Sequence, residues 1–357
     1  MNAISLFSGC GGDTFGLEQA GFRVAAFNEF KKCAIQSHEA NFPHSKLLKD
    51  PTTKKTDIIK IPDSVFEAYT NKIELLFAGF PCQGFSQAGK KKVTDPRNQL
   101  YKEFVRAVRL VKPTFFIGEN VTGLTKMKSG PKEDSPSMLQ LITDEFKTIG
   151  YDLTYQVVEA TDFGVPQKRK RLLLVGWNTA EIELFNYVEF WTLVKQFGAQ
   201  KKLRLPSTFI TTSLEDAYEL PSQSVPQGFE TYALAIPDSA EPSGTPHPYL
   251  VLKADQNLLS CKKRDSPIHS EIIDIQAPSK TIICTYDHQP RLLVGLRKQN
   301  GTCYARCLLP DELKQIQGFP STFQILGSKK EKIVQIGNAV PPPIIESVAN
   351  ALASMEF

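Results

Sequence analysis

The sequence has no apolar run approaching the roughly 18 residues that a membrane-spanning helix needs; its best stretches, such as Leu172–Val175, are short. No membrane partner is expected. Histidine is scarce, with 5 in 357 residues, and no Cys-x-x-Cys pair occurs. That removes the usual ligand spacings of a zinc site, so no metal is expected. The seven cysteines (10, 33, 82, 261, 284, 303 and 307) are odd in number and scattered, which suits free thiols in a reducing compartment better than a disulfide framework. Neither sign of charge dominates, because 42 Lys and Arg against 38 Asp and Glu leave only +4. Such a balance permits a polyanionic partner without demanding one. Internal repeats and low-complexity tracts are lacking too. Met1-Asn2 leads straight into a short apolar run without a basic leader, so secretion is not expected.

What remains is an ordinary globular composition, 41% hydrophobic and 22% charged, which excludes a disordered chain. Short apolar runs at Ala3–Phe7, Arg23–Phe27, Glu74–Ala78, Thr114–Gly118, Tyr155–Ala160 and Arg171–Gly176 read as strands. Amphipathic stretches at Thr14–Ala20, Lys31–Asn41, Arg97–Val111 and Ser137–Ile149 read as helices between them. That alternation predicts an α/β fold with a mostly parallel sheet. After Trp177 the pattern breaks, and prolines at 206, 221, 226, 237, 242, 246 and 248 cut the chain into short pieces. Helical spacing returns at Asp311–Gln317 and Ile344–Leu352. The expected architecture is one domain built from residues 1–177 and 302–357, with a smaller irregular domain, 178–301, inserted between them.

In parallel sheets ligands bind beyond the carboxyl ends of the strands, so chemistry is sought there. The first strand runs into Phe7-Ser8-Gly9-Cys10-Gly11-Gly12. Small residues before a helix let backbone approach a nucleotide-like ligand, although a tight turn or a nicotinamide or flavin site would read the same way. The second strand ends at Asn28-Glu29-Phe30, where a carboxylate can accept from ribose hydroxyls and a ring can stack on a base. Gly79-Phe80-Pro81-Cys82-Gln83 sets a cysteine after a central strand, in position for nucleophilic attack. Glu119-Asn120-Val121 sends a carboxyl out of a buried strand, a candidate acid or hydrogen-bond donor. Gln167-Lys168-Arg169-Lys170-Arg171, taken alone, is a solvated charge run.

Taken in order, Phe7–Gly12, Pro81-Cys82-Gln83, Glu119-Asn120-Val121 and Gln167-x-Arg169-x-Arg171 resemble the motif series of the cytosine-C5 methyltransferases. Arg306-x-Leu308…Glu312…Gln317-Gly318-Phe319-Pro320 and Gln335–Pro341 resemble its two C-terminal motifs. The resemblance covers about two thirds of the chain and implies a Rossmann-like class I methyltransferase fold. It implies that Cys82 supplies a thiolate that adds to cytosine C6, making C5 nucleophilic enough to accept a methyl group. Glu119 would hold N3 and the exocyclic amine, and Arg171 the base oxygen. Arg169, Gln167 and Asn120 would support the loop carrying Cys82.

The implied cofactor is S-adenosylmethionine, with S-adenosylhomocysteine as product. By the same resemblance, Phe7, Gly9, Cys10, Gly11 and Gly12 surround its methionine part. Glu29 binds the ribose and Phe30 stacks on adenine. Asp57 and Ile58 read the adenine amine, Thr56 standing where the family has a glycine. Gly79, Pro81, Leu100, Asn338 and Ala339 complete the pocket. The partner implied is double-stranded DNA, with the target base flipped from the stack, and a monomer is expected. Lys90-Lys91-Lys92 offer phosphate contacts, as do Lys262-Lys263-Arg264 and Arg291 in the insert. The insert, in which Pro278–Ile282 resembles a family marker, is where this family carries its target-recognition domain.

The nearest rival is the tRNA-directed branch, whose Cys-Phe-Thr signature is lacking here. A catalytically dead DNA-binding regulator would be expected to lose Pro-Cys-Gln or Glu-Asn-Val. An oxidoreductase accounts for the glycine loop and for nothing after it. A restriction-modification system, a phage or a virus suits the chain, with a cytoplasmic or nucleoid location in a prokaryotic host.

Overall fold

The computed structural model describes residues 1–81, 100–128, 135–222, 225, 228–246, 250–253, 258–261, 271–287 and 290–355. Cys82, Gln83, the lysines at 90–92 and the cluster at 262–264 lie outside them. The first part of the chain runs β1 (Asn2–Leu6), α1 (Gly12–Gln19), β2 (Arg23–Asn28), α2 (Lys32–Asn41), β3 (Lys46–Leu47), α3 (Asp63–Glu67) and β4 (Leu75–Ala78). It continues with α4 (Tyr101–Val111), β5 (Phe115–Asn120), α5 (Met138–Thr148), β6 (Tyr151–Glu159), β7 (Gln167–Lys168) and β8 (Lys170–Asn178). Then come α6 (Tyr187–Ala199), β9 (Tyr218–Glu219), α7 (Phe229–Tyr232), β10 (Leu234–Ile236), β11 (Leu250–Lys253), β12 (Leu258–Cys261), β13 (Glu271–Ile272) and β14 (Ser279–Lys280). The last elements are β15 (Leu292–Lys298), β16 (Cys303–Cys307), α8 (Pro310–Ile316), α9 (Lys329–Asn338) and α10 (Pro342–Ser354).

Seven strands form the main sheet in the order β3-β2-β1-β4-β5-β8-β6. Its inner strands are apolar on both faces because helices cover both sides. On β4, Leu75 and Phe77 enter the core formed with α1, α6 and α10, where Phe190, Ile344 and Val348 pack. Leu76 and Ala78 enter the opposite core, with Phe66, Phe104 and Phe146 from α3, α4 and α5. The two-residue period of a strand sorts the side chains into these layers.

The first five strands of that order are parallel, as expected. The antiparallel part of the mostly parallel sheet lies at the far edge, where β8 runs antiparallel to both β5 and β6. The stretch from Glu159 to Lys170 is too short for a crossover helix, so the chain must turn back on itself. The Ala160 N–H donates to the Arg169 carbonyl across this turn at 2.9 Å.

A second sheet has the order β10-β15-β16-β9, with β13 also on β15. Its packing does not stop at the expected limits of the insert. The β15–β16 hairpin, paired Leu293 to Cys307 through Arg297 to Cys303, spans the expected cut at 301/302. Beyond the cut at 177/178, Phe190, Trp191 and Val194 of α6 belong to the main-sheet core. A third core joins Val294 and Tyr304 of the second sheet to Leu313, Ile316, Ile333 and Ile336 of the C-terminal helices.

Helix α10 returns the chain to the start of the sheet by lying against α1. Gly16 makes this approach possible, since a Cβ there would fall 2.5 Å from the Pro342 carbonyl oxygen and 2.9 Å from the Ile345 Cβ. Backbone cannot move aside as a flexible side chain can. Gly16→Ala should therefore destabilise by about 1–3 kcal/mol through overpacking, despite alanine's gain in helix propensity. An unchanged denaturation midpoint would mean that α1 and α10 can separate freely.

Candidate active site

The ends of β1, β2, β4 and β5 lie level, with Leu6 beside Asn28 and Ala78, and Ala78 beside Gly118. The four loops that follow them converge on a cavity of about 760 Å³. Backbone hydrogen bonds continue past the strands and fix the loops: Ser8 N–H donates to the Asn28 carbonyl at 3.0 Å, and Gly79 N–H to the Leu6 carbonyl at 3.2 Å. The first loop turns through left-handed conformations at Phe7 (φ 54) and Gly9 (φ 56). Such a φ is rare for a residue with a bulky side chain and costs free energy that the surrounding contacts must offset.

Glu29 is nearly buried yet satisfied by backbone. Its Oε2 accepts from Gly9 N–H at 3.0 Å, and its Oε1 from Phe30 and Lys31 N–H at 2.8 Å each. Phe30 lies on the cavity wall with 67% of its surface exposed. The Asn28 amide donates to the Thr56 carbonyl at 2.9 Å, which draws Asp57 and Ile58 to the same cavity. The Asp57 carboxylate accepts from Ile59 N–H at 3.3 Å. Gly79, Pro81, Leu100, Asn338 and Ala339 complete the wall.

Cys10, Gly11 and Gly12 are not on that wall. Cys10 is buried in the third core, where desolvation, then the Asp13 charge, pushes its thiol up to about 12. Cβ atoms at Gly11 and Gly12 would meet the Phe42 ring at 2.7 Å and the Val340 carbonyl at 2.6 Å. Both are tight-packing positions behind the cavity. The wall as a whole fits a nucleoside: a carboxylate for a diol, an exposed ring for a base and a second carboxylate for an amine.

Another part of the wall comes from β5 and β8. Glu119 Oε1 accepts from Arg171 Nε at 2.8 Å, and both side chains line the cavity. Burial raises the Glu119 carboxyl above its usual range, outweighing the opposing pull of Arg171 and Arg169. Asn120 donates from Nδ2 to the Phe80 carbonyl at 3.0 Å and accepts from Val121 N–H at 2.8 Å. It thus ties the end of β5 to the segment that enters Cys82. Arg169 is buried, with Nη1 donating to the Ile282 carbonyl at 3.1 Å. Its Nη2 donates to the carbonyls of Gly337 at 3.0 Å and Ala339 at 3.1 Å. Gln167 lies off the cavity, giving a hydrogen bond to Gln317 Oε1 at 2.6 Å and taking one from Ile282 N–H at 2.9 Å. No described helix is long and apolar enough to cross a membrane, and no metal-holding group of His, Cys, Asp and Glu occurs among the described residues.

One cavity residue, Asp13, carried no signal in the sequence, where it reads as an acidic residue in a helix's first turn. It is buried and lines the cavity floor. Its carboxylate accepts from the Ser5 hydroxyl, and from Ser8 and Thr14 hydroxyls at 3.4 Å. Thr14 in turn meets His38 Nε2 at 3.0 Å, and burial depresses the His38 imidazole to about 3, so it is neutral. Burial pushes the Asp13 carboxyl from 3.8 up to about 7. Across that interval the folded protein keeps a proton that the unfolded chain has released. The Asp13 contribution to stability is therefore best below the unfolded value and declines as pH rises toward the folded one. Asp13→Asn should flatten this decline in denaturant titrations spanning the window. A pH slope identical to wild type would remove Asp13 as its source.

Known proteins extend these observations. A family model described as C-5 cytosine-specific DNA methylase matches residues 1–354. The type II methyltransferase M1.HphI of Haemophilus parahaemolyticus is 30% identical over 366 residues, covering 99% of this chain and 87% of the relative. M.NgoPII of Neisseria gonorrhoeae is 30% identical over 361 residues, covering 99% and 95%. The solved structure of S. pombe Dnmt2 methyltransferase superimposes with a TM-score of 0.65 at 16% identity, covering all of both chains. Entamoeba histolytica methyltransferase EhMeth gives 0.61 at 16%, covering 99% and 97%. These two likenesses bear on the fold alone. With the α/β fold, the motif residues and a match to almost its whole length, the chain belongs to the C-5 cytosine-specific DNA methylases.

Proposed function

We propose that this methylase transfers a methyl group from S-adenosylmethionine to C5 of a cytosine flipped out of double-stranded DNA, through a covalent bond between Cys82 and C6. The observation that carries this reading is the Glu119–Arg171 pair on the wall of a cavity that also contains Glu29, Phe30 and Asn338. A base-sized reactant held by the first pair would share one space with a nucleoside held by the second group.

When bound, the cofactor supplies an electrophilic methyl group on a sulfonium. The protein's part is to make cytosine C5 nucleophilic. The Cys82 thiolate adds to C6, forming the sulfur–carbon bond and placing electron density on C5. Glu119, its carboxyl raised by burial, holds a proton at N3 as negative charge develops on the ring. Arg171 orients Glu119 and faces the base oxygen. Once C5 carries the methyl group, loss of the C5 proton and cleavage of the sulfur–C6 bond restore the aromatic ring and the thiolate. Asn120 and Arg169 hold the surrounding segments in place. Glu29 would bind the ribose diol, Phe30 the adenine face, and Asp57 the adenine amine.

Residues 178–301 are assigned the choice of sequence, since the motifs for chemistry and cofactor lie outside them. Both reactive walls belong to one chain, which supports action as a monomer. The type II relatives support a place in a restriction-modification system. DNA is favoured over tRNA by the family match and the missing Cys-Phe-Thr signature.

Duplex carrying 5-fluorocytosine should trap the wild type as a denaturation-stable adduct, because fluorine cannot leave as a proton does. Cys82→Ser should bind cofactor, form no adduct and lose methyl transfer. An equal adduct in that variant would move the nucleophile elsewhere. Glu119→Gln should lower the single-turnover rate far more than it weakens DNA binding, since the amide cannot supply a proton. An unaltered rate would leave Glu119 a structural residue.

A further inference from the structure

Five described acidic residues line the reactive cavity, and four of them have partners that fix their role. Glu29 bonds to backbone N–H groups, and Asp57 to Ile59 N–H and Lys60. Glu119 pairs with Arg171, and Glu331 caps its own helix through Ser328. Asp13 is buried deepest of the five, 3% exposed, and differs in kind. Its side-chain partners are three hydroxyls, those of Ser5, Ser8 and Thr14. No lysine, arginine or protonated histidine pairs with it among the described residues.

The hydroxyls are oriented by a neighbour. His38 is buried and neutral, stacked on Phe27 at 3.6 Å, and its Nδ1 has no partner among the described residues. A buried N–H without a partner is rarer than a bare lone pair, so the ring proton sits on Nε2 and donates to Thr14 Oγ1 at 3.0 Å. The Thr14 hydroxyl is then free to donate onward to Asp13. Ser5 and Ser8 donate to the same carboxylate, so three hydroxyl protons converge on it. Such donors favour a negative charge, while burial opposes it and pushes the carboxyl up to about 7. The other titratable groups around it bring no cation, since Cys10 keeps its proton and Glu29 is bonded to Gly9.

A desolvated carboxylate with its donors in place and no counter-ion is a receptor for a cation. Ser8 and Gly9 are consecutive, so Asp13 and Glu29 attach to neighbouring points of one loop. An amino-acid tail extending from a ribose at Glu29 needs to cross only this loop to reach Asp13. We propose that Asp13 is the counter-ion for the primary ammonium on the amino-acid tail of the cofactor. The proposal rests on the S-adenosylmethionine reading and adds a charge requirement and a proton linkage to it. In the ligand-free protein part of the population holds Asp13 protonated. Arrival of the ammonium leaves a carboxylate–ammonium pair and releases that proton to solvent.

The test measures binding to the full chain by calorimetry without DNA. The ligands are S-adenosylmethionine, S-adenosylhomocysteine and the analogue of the latter that lacks only the amine. S-adenosylhomocysteine carries the ammonium and no sulfonium, so it isolates the first charge. At about pH 8 wild type should bind it about tenfold or more tightly than the desamino analogue. That ratio should fall toward about pH 6, because a protonated Asp13 offers no charge to pair. At about pH 7 S-adenosylhomocysteine should release about half a proton per site, read from the heats in buffers of different ionisation enthalpy. The desamino analogue should release none. Asp13→Asn should lose about tenfold in affinity for S-adenosylhomocysteine, bind the desamino analogue as wild type does, and release no proton. A wild-type ratio near unity, or one independent of pH, would overturn the proposal, and neither measurement needs the variant to fold. Equal losses for both thioethers in the variant would also overturn it, by marking a role in shaping the loop. So would a loss confined to S-adenosylmethionine, which would make the sulfonium the partner. A wild type that binds none of the three ligands would overturn the cofactor reading itself, and the ammonium seat with it.

Discussion

The buried guanidinium of Arg169 is the point on which the arrangement of this protein turns. It takes no part in the sheet core, yet it binds the carbonyls of Ile282, Gly337 and Ala339. One side chain thereby joins the turn after β6, the insert and the end of α9. Burying such a charge is expensive unless it is hydrogen-bonded and offset by an opposite charge. The three carbonyls supply the first condition, and the nearby Glu119 carboxylate contributes to the second. Beside it, Gln167 and Gln317 form an uncharged relay that reaches the Ala339 carbonyl. Loss of Arg169 would take this donor from the Ile282 and Gly337 carbonyls, with Ala339 still held by Gln317, so its role in holding the walls together and any role in chemistry are inseparable.

The same constraint explains why so much of the cavity is backbone. Glu29 spends its carboxylate on N–H groups of Gly9, Phe30 and Lys31. The bond from Gly9 holds a loop that already passes through left-handed Phe7. Asp13 does comparable work from below through Ser5 and Ser8. Two carboxylates therefore bond to one short loop, Glu29 at Gly9 and Asp13 at Ser8. The loop is held in shape before any ligand arrives, which lowers the ordering cost of binding.

Much of this was legible in the sequence because strand and motif signals are local. The runs before Phe7, Glu29, Gly79 and Glu119 are strands, and the residues after them face one cavity. The reversed β8 was not legible, since direction is set by the length of a connection whose ends are unknown until strands are paired. Helix α9 was missed although Ser328 and Glu331 form a capping box ahead of it, a signal available in the sequence. Helix α6 was missed for a different reason. Its Phe190, Trp191 and Val194 follow helical spacing, but the proline-rich stretch that follows obscured where the regular part of the chain ends. Asp13 could not be read at all, because its burial depends on how α1 meets β1.

The pairing of β7 with β14 ties the insert to the cavity wall through one backbone. Alternation turns Gln167, Arg169 and Arg171 inward, the two arginines onto the cavity wall, and Lys168 and Lys170 toward solvent. Any displacement of β14 relative to β7 must shift the Ile282 carbonyl that Arg169 holds, and with it the wall containing Glu119. Among the described residues, the β7–β14 pairing joins the turn beside the Glu119 wall directly to the insert by strand hydrogen bonds. Such a joint favours a fixed register between the insert and the cavity wall that holds Glu119.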